Sequence, residues 1–269
     1  MEEVQLEVSY GRTSNESAIE IDASHMDTRE LNSLLRDLML SGYERAVLRN
    51  VCGQRYIGTR LYSPQRRVMT IEIHGTPGND LGAFLFGHRI VVHGNAQDGV
   101  GNTMASGEIV VEGRSGDVTG MSMRGGRIFV KGDVGYRSAL HMKEHDQKRP
   151  VIVVGGTSQD FLGEYMAGGV VILLGLYGAH TASFIGSGMH GGVIYIRGEI
   201  GEEQVNSHVL ISRPDDADTE ILGSQISAFI ERFPDLSLDV DCILDSEWTK
   251  LSPRSSRPYG KLYASTAPD

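Results

Sequence analysis

A five-residue phrase ending in glycine recurs through the middle of the chain and constrains the fold more than any other feature. Its first and third positions are apolar, and it occurs at 71–75, 90–94, 109–113, 128–132, 152–156, 171–175 and 194–198. The first three steps between closing glycines are 19 residues each (75 to 94, 94 to 113, 113 to 132), and two later steps are longer. A fixed period near 20 residues is typical of a solenoid in which each repeat forms one coil.

Each repeat also carries a second glycine, replaced once by alanine, and a leucine or methionine follows three residues later. The predicted corner residues are Gly82, Gly101, Gly120, Ala139, Gly163 and Gly186, and the apolar residues are Leu85, Met104, Met123, Met142, Met166 and Met189. Glycine adopts positive φ without steric strain, and flexible methionine fills an irregular core. The sequence therefore predicts a mainly β protein, a right-handed single-stranded parallel β-helix of about seven coils.

The flanks lack this period, since 28 of the 34 glycines lie from Gly75 to Gly201. We therefore divide the chain into a small α+β N-terminal cap (1–70), the glycine-repeat β-helix (71–201) and a C-terminal helix with an extended tail (202–269). A solenoid needs such caps because its open ends would expose core.

Apolar spacing places the elements of both flanks. It predicts strands at 4–8, 19–21, 46–48 and 56–57, and helices from Asp27 or Ser24 to about Leu40 and over 215–233. We expect the C-terminal helix to cover the last coil of the solenoid.

Charge and cysteine content limit the functional classes. A formal charge of -10 argues against nucleic-acid binding, and no run of apolar residues is long enough to span a membrane. Two distant cysteines, Cys52 and Cys242, form no disulfide framework or zinc motif and fit a reducing cytoplasm. The acidic start lacks the apolar region of a secretory signal, so a cytoplasmic protein is expected.

No motif singles out an active site. Ser115 and Ser187 lie among glycines but lack the G-x-S-x-G spacing of an esterase. His141 and His145 are four residues apart without the glutamate of the HExxH zinc motif, so exposed loop histidines are favoured over a metal site. We therefore predict no catalytic, cofactor-binding or metal-binding residues.

Charged residues at matching coil positions have structural interpretations. We expect Asp98, Asp117 and Asp160 to bond backbone amides at corners rather than act in catalysis. Arg124 and Arg137 could bind an anion, although surface or salt-bridge roles are favoured. The charged segment 143–149 interrupts the period as either a solvated loop or a docking loop.

The polar residues between the glycines carry a family resemblance. The segments that carry it are 51–58, 73–80, 94–104, 123–126, 134–137, 141–143, 161–169, 188–192 and Arg257-Pro-Tyr-Gly-Lys261. They resemble the glycine-repeat (GXGXG) β-helix domain at the C-terminal end of the glutamate synthase large chain. The likeness covers most of residues 45–201 and part of the tail, and the chain looks like a stand-alone form of that domain.

This resemblance implies a role in glutamate biosynthesis and nitrogen metabolism. In glutamate synthase, a glutamine amidotransferase domain releases ammonia, and a synthase domain with FMN and an iron–sulfur cluster transfers it to 2-oxoglutarate. The β-helix domain carries neither catalytic site. The resemblance thus implies a non-catalytic structural subunit of this oxidoreductase complex, with no cofactor of its own and with FMN and iron–sulfur in a partner subunit.

Two alternatives remain open at this stage. The glycine repeat is also similar, more distantly, to the cofactor-free β-helix subunit of formylmethanofuran dehydrogenase, which would make the chain a scaffold in another oxidoreductase. A serine esterase using Ser115 or Ser187 is the remaining hypothesis. Exposed coil faces also make a homo-oligomer an open expectation.

Overall fold

The computed structural model describes residues 18–63 and 67–256. Within them, eleven strands form one sheet whose order is β1 to β9, then β11, then β10. The strands are β1 Ala18–Asp22, β2 Arg45–Cys52, β3 Thr70–Thr76, β4 Arg89–His93, β5 Glu108–Val111, β6 Arg127–Val130, β7 Val151–Val154, β8 Ala167–Leu173, β9 Gly191–Arg197, β10 Val209–Ser212 and β11 Trp248–Pro253.

The strands β1 to β9 pair in parallel, each with the next along the chain. One strand per repeat and about eight turns make a single-stranded β-solenoid, which confirms the predicted fold class. The parallel ladder extends N-terminally of residue 71 through β2 and β1.

The interior is a stack of equivalent side chains in register. Ile71 pairs with Ile90, Ile90 with Ile109 and Ile109 with Ile128, and all four are fully buried. The predicted apolar ladder lies in the same core: Leu85, Met104, Met123, Met142, Met166 and Met189 each have 0% exposure. Because one coil cannot bury its apolar side alone, stacking is what creates this core.

The predicted corner residues have the backbone that the sequence led us to expect. Positive φ occurs at Gly82, Gly101, Gly120, Gly163 and Gly186, and at Ala139. The corner at Gly120 is also sterically crowded, because an added Cβ would lie 2.3 Å from Ile152 Cδ1. Corner glycines therefore let each coil approach the isoleucine ladder.

The first helix, α1 (Thr28–Leu40), begins at Asp27, whose side chain accepts from the amides of Arg29 and Glu30. Its buried leucines, Leu31, Leu35 and Leu38, belong to the interior core cluster. The predicted strands at 19–21 and 46–48 are confirmed, whereas 4–8 lies outside the described residues. The strand predicted at 56–57 is wrong, because Tyr56 has φ 57° and begins a turn.

The C-terminal segment forms α2 (Asp216–Arg232), α3 (Val240–Leu244) and two short 3-10 helices, Glu202–Gln204 and Pro234–Leu236. The predicted helix is present, but its expected position is wrong. Its Leu222, Ile226 and Phe229 form a second core with outward residues of the sheet, so it covers the sheet's outer face.

The last coil is closed by strands instead. Here β11 pairs antiparallel with β9, and β10 pairs antiparallel with β11. Val209 of β10 contributes to the interior core, and its Cγ2 lies 2.7 Å from a Cβ added to Gly186, the last corner glycine. An antiparallel edge thus ends the solenoid and satisfies the backbone groups of β9.

Candidate functional site

One surface of the solenoid is built entirely from its corner turns. In seven successive turns, the residues two before and two after the corner position also have positive φ: Tyr56 and Arg60, Asp80 and Phe84, Gly99 and Thr103, Val118 and Ser122, Arg137 and His141, Phe161 and Tyr165, Phe184 and Gly188. Non-glycine residues rarely adopt this conformation. We call this surface the turn face.

Hydrogen bonds between coils explain how the turn face tolerates such backbone. The amide of Gly101 donates to the carbonyl of Leu81 in the coil before it, at 2.8 Å. The amides of Gly99 and Thr103, on either side, donate to the carbonyls of Asp117 and Met121 in the coil after it. The left-handed residues are therefore held by bonds in both directions along the stack.

Aromatic and cationic side chains cluster at the C-terminal end of the turn face. The rings of Phe161 and Phe184 stack at 4.9 Å with 10° between their planes. The Arg137 guanidinium lies 5.1 Å from the Phe161 centroid, and His141 contacts Tyr165 at 5.3 Å. Phe184 is 54% exposed, which is unusual for a large aromatic side chain in left-handed backbone. Such groups are common anchors in protein interfaces.

The serine candidates lack the geometry of a nucleophile. Ser115 is buried, and its hydroxyl lies 2.5 Å from Thr119 Oγ1 rather than against an imidazole. Ser187 lies on the turn face, where its amide bonds the carbonyl of Phe184. Neither has the histidine partner that an esterase requires, within the part of the chain described.

The histidines of the candidate zinc motif are exposed, as expected. His141 packs on Tyr165, while His145 forms a bridge with Lys148 inside the charged loop. That loop, 143–149, is exposed and is held by Glu144, which accepts from Arg149 Nε and from the amide of Gly169, both at 3.0 Å. Whether the loop docks a partner stays a prediction.

The aspartates at matching coil positions bond backbone amides, which confirms their structural interpretation. Asp98 accepts from the amide of Asp117, and Asp117 accepts from that of Tyr136, both at 2.9 Å. Asp160 accepts from the amide of Ser183 at 2.8 Å. Each carboxylate thus joins its own coil to the next.

The two arginines have structural partners. Arg137 pairs with Glu164 at 3.1 Å as well as covering Phe161, and Arg124 donates to the carbonyls of Ser122 and His141. These contacts agree with the predicted surface and salt-bridge roles.

The structure also assembles a cluster that the sequence search missed. Glu72 and His74 of β3 lie beside His93 of β4 on the outer face of the sheet. Burial and the neighbouring His93 lower the pKa of His74. Burial opposes ionisation of Glu72, but the hydrogen bond and charge of Arg45 lower its pKa overall. The signal was available, because consecutive repeats end in Ile-His-Gly and Val-His-Gly one period of 19 residues apart.

Two open clefts border α2, with volumes of about 410 and 540 Å³. The smaller lies near Trp248 and Arg213, and the larger near Arg127 and Glu220. Neither combines a nucleophile with a histidine among its lining residues, so the clefts offer no constellation for acid–base or nucleophilic catalysis. Among the described residues, no helix has the length and apolar character to cross a lipid bilayer.

These features define the class of the protein as a single-sheet β-solenoid with corner glycines and an aromatic turn face. The model of the GXGXG motif family matches residues 29–253. An uncharacterized protein of Methanocaldococcus jannaschii is 47% identical over 252 residues, which span 90% of this chain and 95% of that relative. The chain belongs to the GXGXG motif family, the family of the C-terminal domain of glutamate synthase.

Proposed function

We propose that this chain is a non-catalytic structural subunit of a glutamate synthase-type complex. Partner subunits would release ammonia from glutamine and transfer it to 2-oxoglutarate. The aromatic cluster of half-buried Phe161 with exposed Phe184 and Tyr165 carries the proposal, because it offers anchors for a partner on a rigid stack of coils. Membership of the GXGXG motif family supports a glutamate synthase-related role.

The cysteine content supports placing the redox cofactors elsewhere. An iron–sulfur cluster is held by about four cysteine thiolates, and this sequence contains two cysteines. Cys52 and Cys242 are both exposed and lie on different elements, β2 and α3. FMN and the cluster would therefore belong to a flavoprotein subunit, with an amidotransferase as the second partner.

A tagged full-length chain isolated from its native host tests the proposal. We expect an amidotransferase and an FMN-containing flavoprotein to co-purify in fixed stoichiometry. Phe161→Asp together with Phe184→Asp should abolish the association by adding charge to the aromatic cluster. Leu40→Asp, at an exposed residue at the end of α1, is the matched control and should retain it. Melting temperatures of all variants would confirm that they are folded.

Recovery of the chain without these two partners would overturn the proposal. Co-purification with a different oxidoreductase, such as a formylmethanofuran dehydrogenase, would favour the alternative in which the chain is a scaffold of that enzyme. The more distant likeness of the glycine repeat to the β-helix subunit of that enzyme motivates this second candidate.

A further inference from the structure

The outer face of the sheet presents two stacked imidazoles beside a carboxylate. His74 and His93 are register partners on β3 and β4, and their rings stack at 4.4 Å with 22° between the planes. Glu72 projects from the same face of β3, two residues before His74, because alternate residues of a strand share a face. One ligand atom from each of these three residues lies within 4.8 Å of the other two.

The two nitrogens of His93 have different surroundings. Nδ1 lies 3.0 Å from Glu112 Oε1, a close contact between the imidazole and the carboxylate. Nε2 faces Glu72 Oε2 at 3.9 Å, which is too long for a hydrogen bond. Histidines that bind metals commonly donate their other N–H to a carboxylate, which fixes the ring's orientation. Glu112 stands in that position, and Nε2 is left facing the cluster.

The carboxylate of Glu72 is oriented in a similar way. Arg45 donates from Nε to Oε1 at 2.9 Å and from its terminal nitrogen to Oε2 at 3.0 Å. An ionised carboxylate has about four lone-pair sites, so two remain for another partner.

We propose that Glu72, His74 and His93 form a binding site for a divalent transition-metal ion, for which zinc is the best fit. Two imidazoles and one carboxylate are an established zinc donor set, and three protein ligands leave a fourth position for water or a partner side chain. Ligands about 2.0–2.1 Å from zinc lie about 3.4 Å apart in a tetrahedron, so the side chains need to close modestly.

The local charges are also compatible with a cation. Glu72 and Glu112 contribute two negative charges, and Arg45 offsets one of them. The positive charge of Arg49 also acts on His74, and Arg49 is itself paired with Glu20. A bound ion would tie the coil of β3 to that of β4 on the part of the sheet that α2 leaves open. This site is independent of the proposed role in a multi-subunit complex.

Titration of Zn²⁺ into untagged, chelator-treated full-length protein tests the site. We expect one ion per chain with a Kd of about 1 μM or lower, and Co²⁺ should give the visible absorption of a four-coordinate site. His74→Ala and His93→Ala should each weaken binding by more than about 10-fold, and Glu112→Gln by about 10-fold. His145→Ala and His190→Ala, at histidines outside the cluster, should leave affinity unchanged.

Circular dichroism would establish that each variant is folded, and His93→Gln would replace His93→Ala if the latter were not. Failure of the wild-type chain to bind Zn²⁺ saturably would overturn the proposal. It would also be overturned if the His74 and His93 variants bound as tightly as wild type, or if the control variants lost binding to the same extent.

Discussion

The inner and outer faces of the same sheet are packed by different parts of the chain. On the inner face, every coil meets an equivalent side chain of its neighbours, as Ile90 meets Ile71 and Ile109. On the outer face, one register position is occupied by Glu72 in β3 and Val91 in β4. The same position is occupied by Val110, Phe129 and Val153 in β5, β6 and β7. The inner core is therefore periodic, while the outer face changes character along the stack.

The change coincides with the cover provided by α2. Strands β3 and β4 alternate between buried and partly exposed residues, whereas all four residues of β5 and of β7 are buried. Alternation is typical of a sheet with one solvated face, and a continuous apolar run of one buried on both faces. The strand pattern therefore encodes which coils receive an outer layer.

The largest effect is expected at an inner corner. Gly120→Val would place a β-branched residue at φ 70° and a Cβ 2.3 Å from Ile152 Cδ1. Left-handed strain and overpacking together should lower the free energy of unfolding by about 4–5 kcal/mol. Urea denaturation would measure this change. Ala139→Gly, at the equivalent corner, is the control and should change stability by less than about 1 kcal/mol; similar values for both variants would contradict the corner assignment.

Truncating a residue of the second core, between α2 and the sheet, should reduce stability nearly as much. The effect should be confined to that part of the protein. Phe229 has 0% exposure and packs edge-on against Phe233 at 4.7 Å between ring centroids. Its Cζ lies 2.9 Å from a Cβ added to Gly155, the residue after β7. Phe229→Ala should reduce stability by about 3–4 kcal/mol.

Hydrogen exchange would show whether that loss is local. We expect faster exchange in α2 and α3 than in the strands β2 to β4. Met123→Ala, which opens a cavity in the inner core, is the comparison variant and should cost about 2–5 kcal/mol with protection lost across the coils. Equal exchange patterns in the two variants would mean that the C-terminal helices and the coils unfold together.

Removing a single hydrogen bond between the sheet and α2 should reduce stability less. The Tyr195 hydroxyl of β9 donates to Asp218 of α2 at 2.5 Å, and both side chains are buried. Burial and the adjacent Asp218 raise the pKa of Tyr195, so the phenol stays protonated as a donor. Tyr195→Phe should destabilise the protein by about 1–2 kcal/mol in thermal unfolding. An unchanged melting temperature would show that the bond does not anchor α2.

Acid should lower the stability of the protein through His88, a buried histidine directly before β4. Burial lowers the pKa of His88 from its ordinary value of 6.5, and its Nδ1 accepts the amide of Met69 at 3.1 Å. The unfolded chain therefore binds the proton more readily, so stability is highest above pH 6.5 and falls as pH drops through that value. His88→Asn keeps an acceptor and should flatten this dependence between pH 7 and 5, whereas exposed His145→Asn should not.

The smallest loss of stability is expected on the part of the outer face that α2 does not cover. Arg49 and Glu20 pair at 2.9 Å, with side chains 42% and 57% exposed. Arg49→Ala should change the free energy of unfolding by less than about 1 kcal/mol, because solvent screens such pairs. A larger loss in urea denaturation would indicate that this region contributes more to the core than its exposure suggests.

The fold could be predicted largely because its information is periodic and local. The methionine ladder, the corner glycines and the amide-bonding aspartates each recur at coil spacing, so one repeat predicted the others. The strand predicted at Tyr56-Ile57 is wrong because these residues belong to the turn one coil before Gly82, where Gly58 is the corner glycine. Gly58 is 24 residues before Gly82, so the 19-residue spacing did not identify this turn. The Glu72, His74 and His93 cluster was missed because motif searches compare residues near in sequence, while stacking brings together residues a period apart.

The sequence by itself determined the repeat, the inward apolar ladder and the positions where only small residues fit a left-handed corner. Tertiary structure alone decided where the non-periodic C-terminal segment lies. The amphipathic helix α2 could have covered either the last coil or the sheet, and its own spacing gives no preference. The last coil is closed by β11, which pairs with the β9 edge, and by β10, which pairs with β11. Helix α2 therefore buries its apolar residues against the continuous apolar face of β5 to β9.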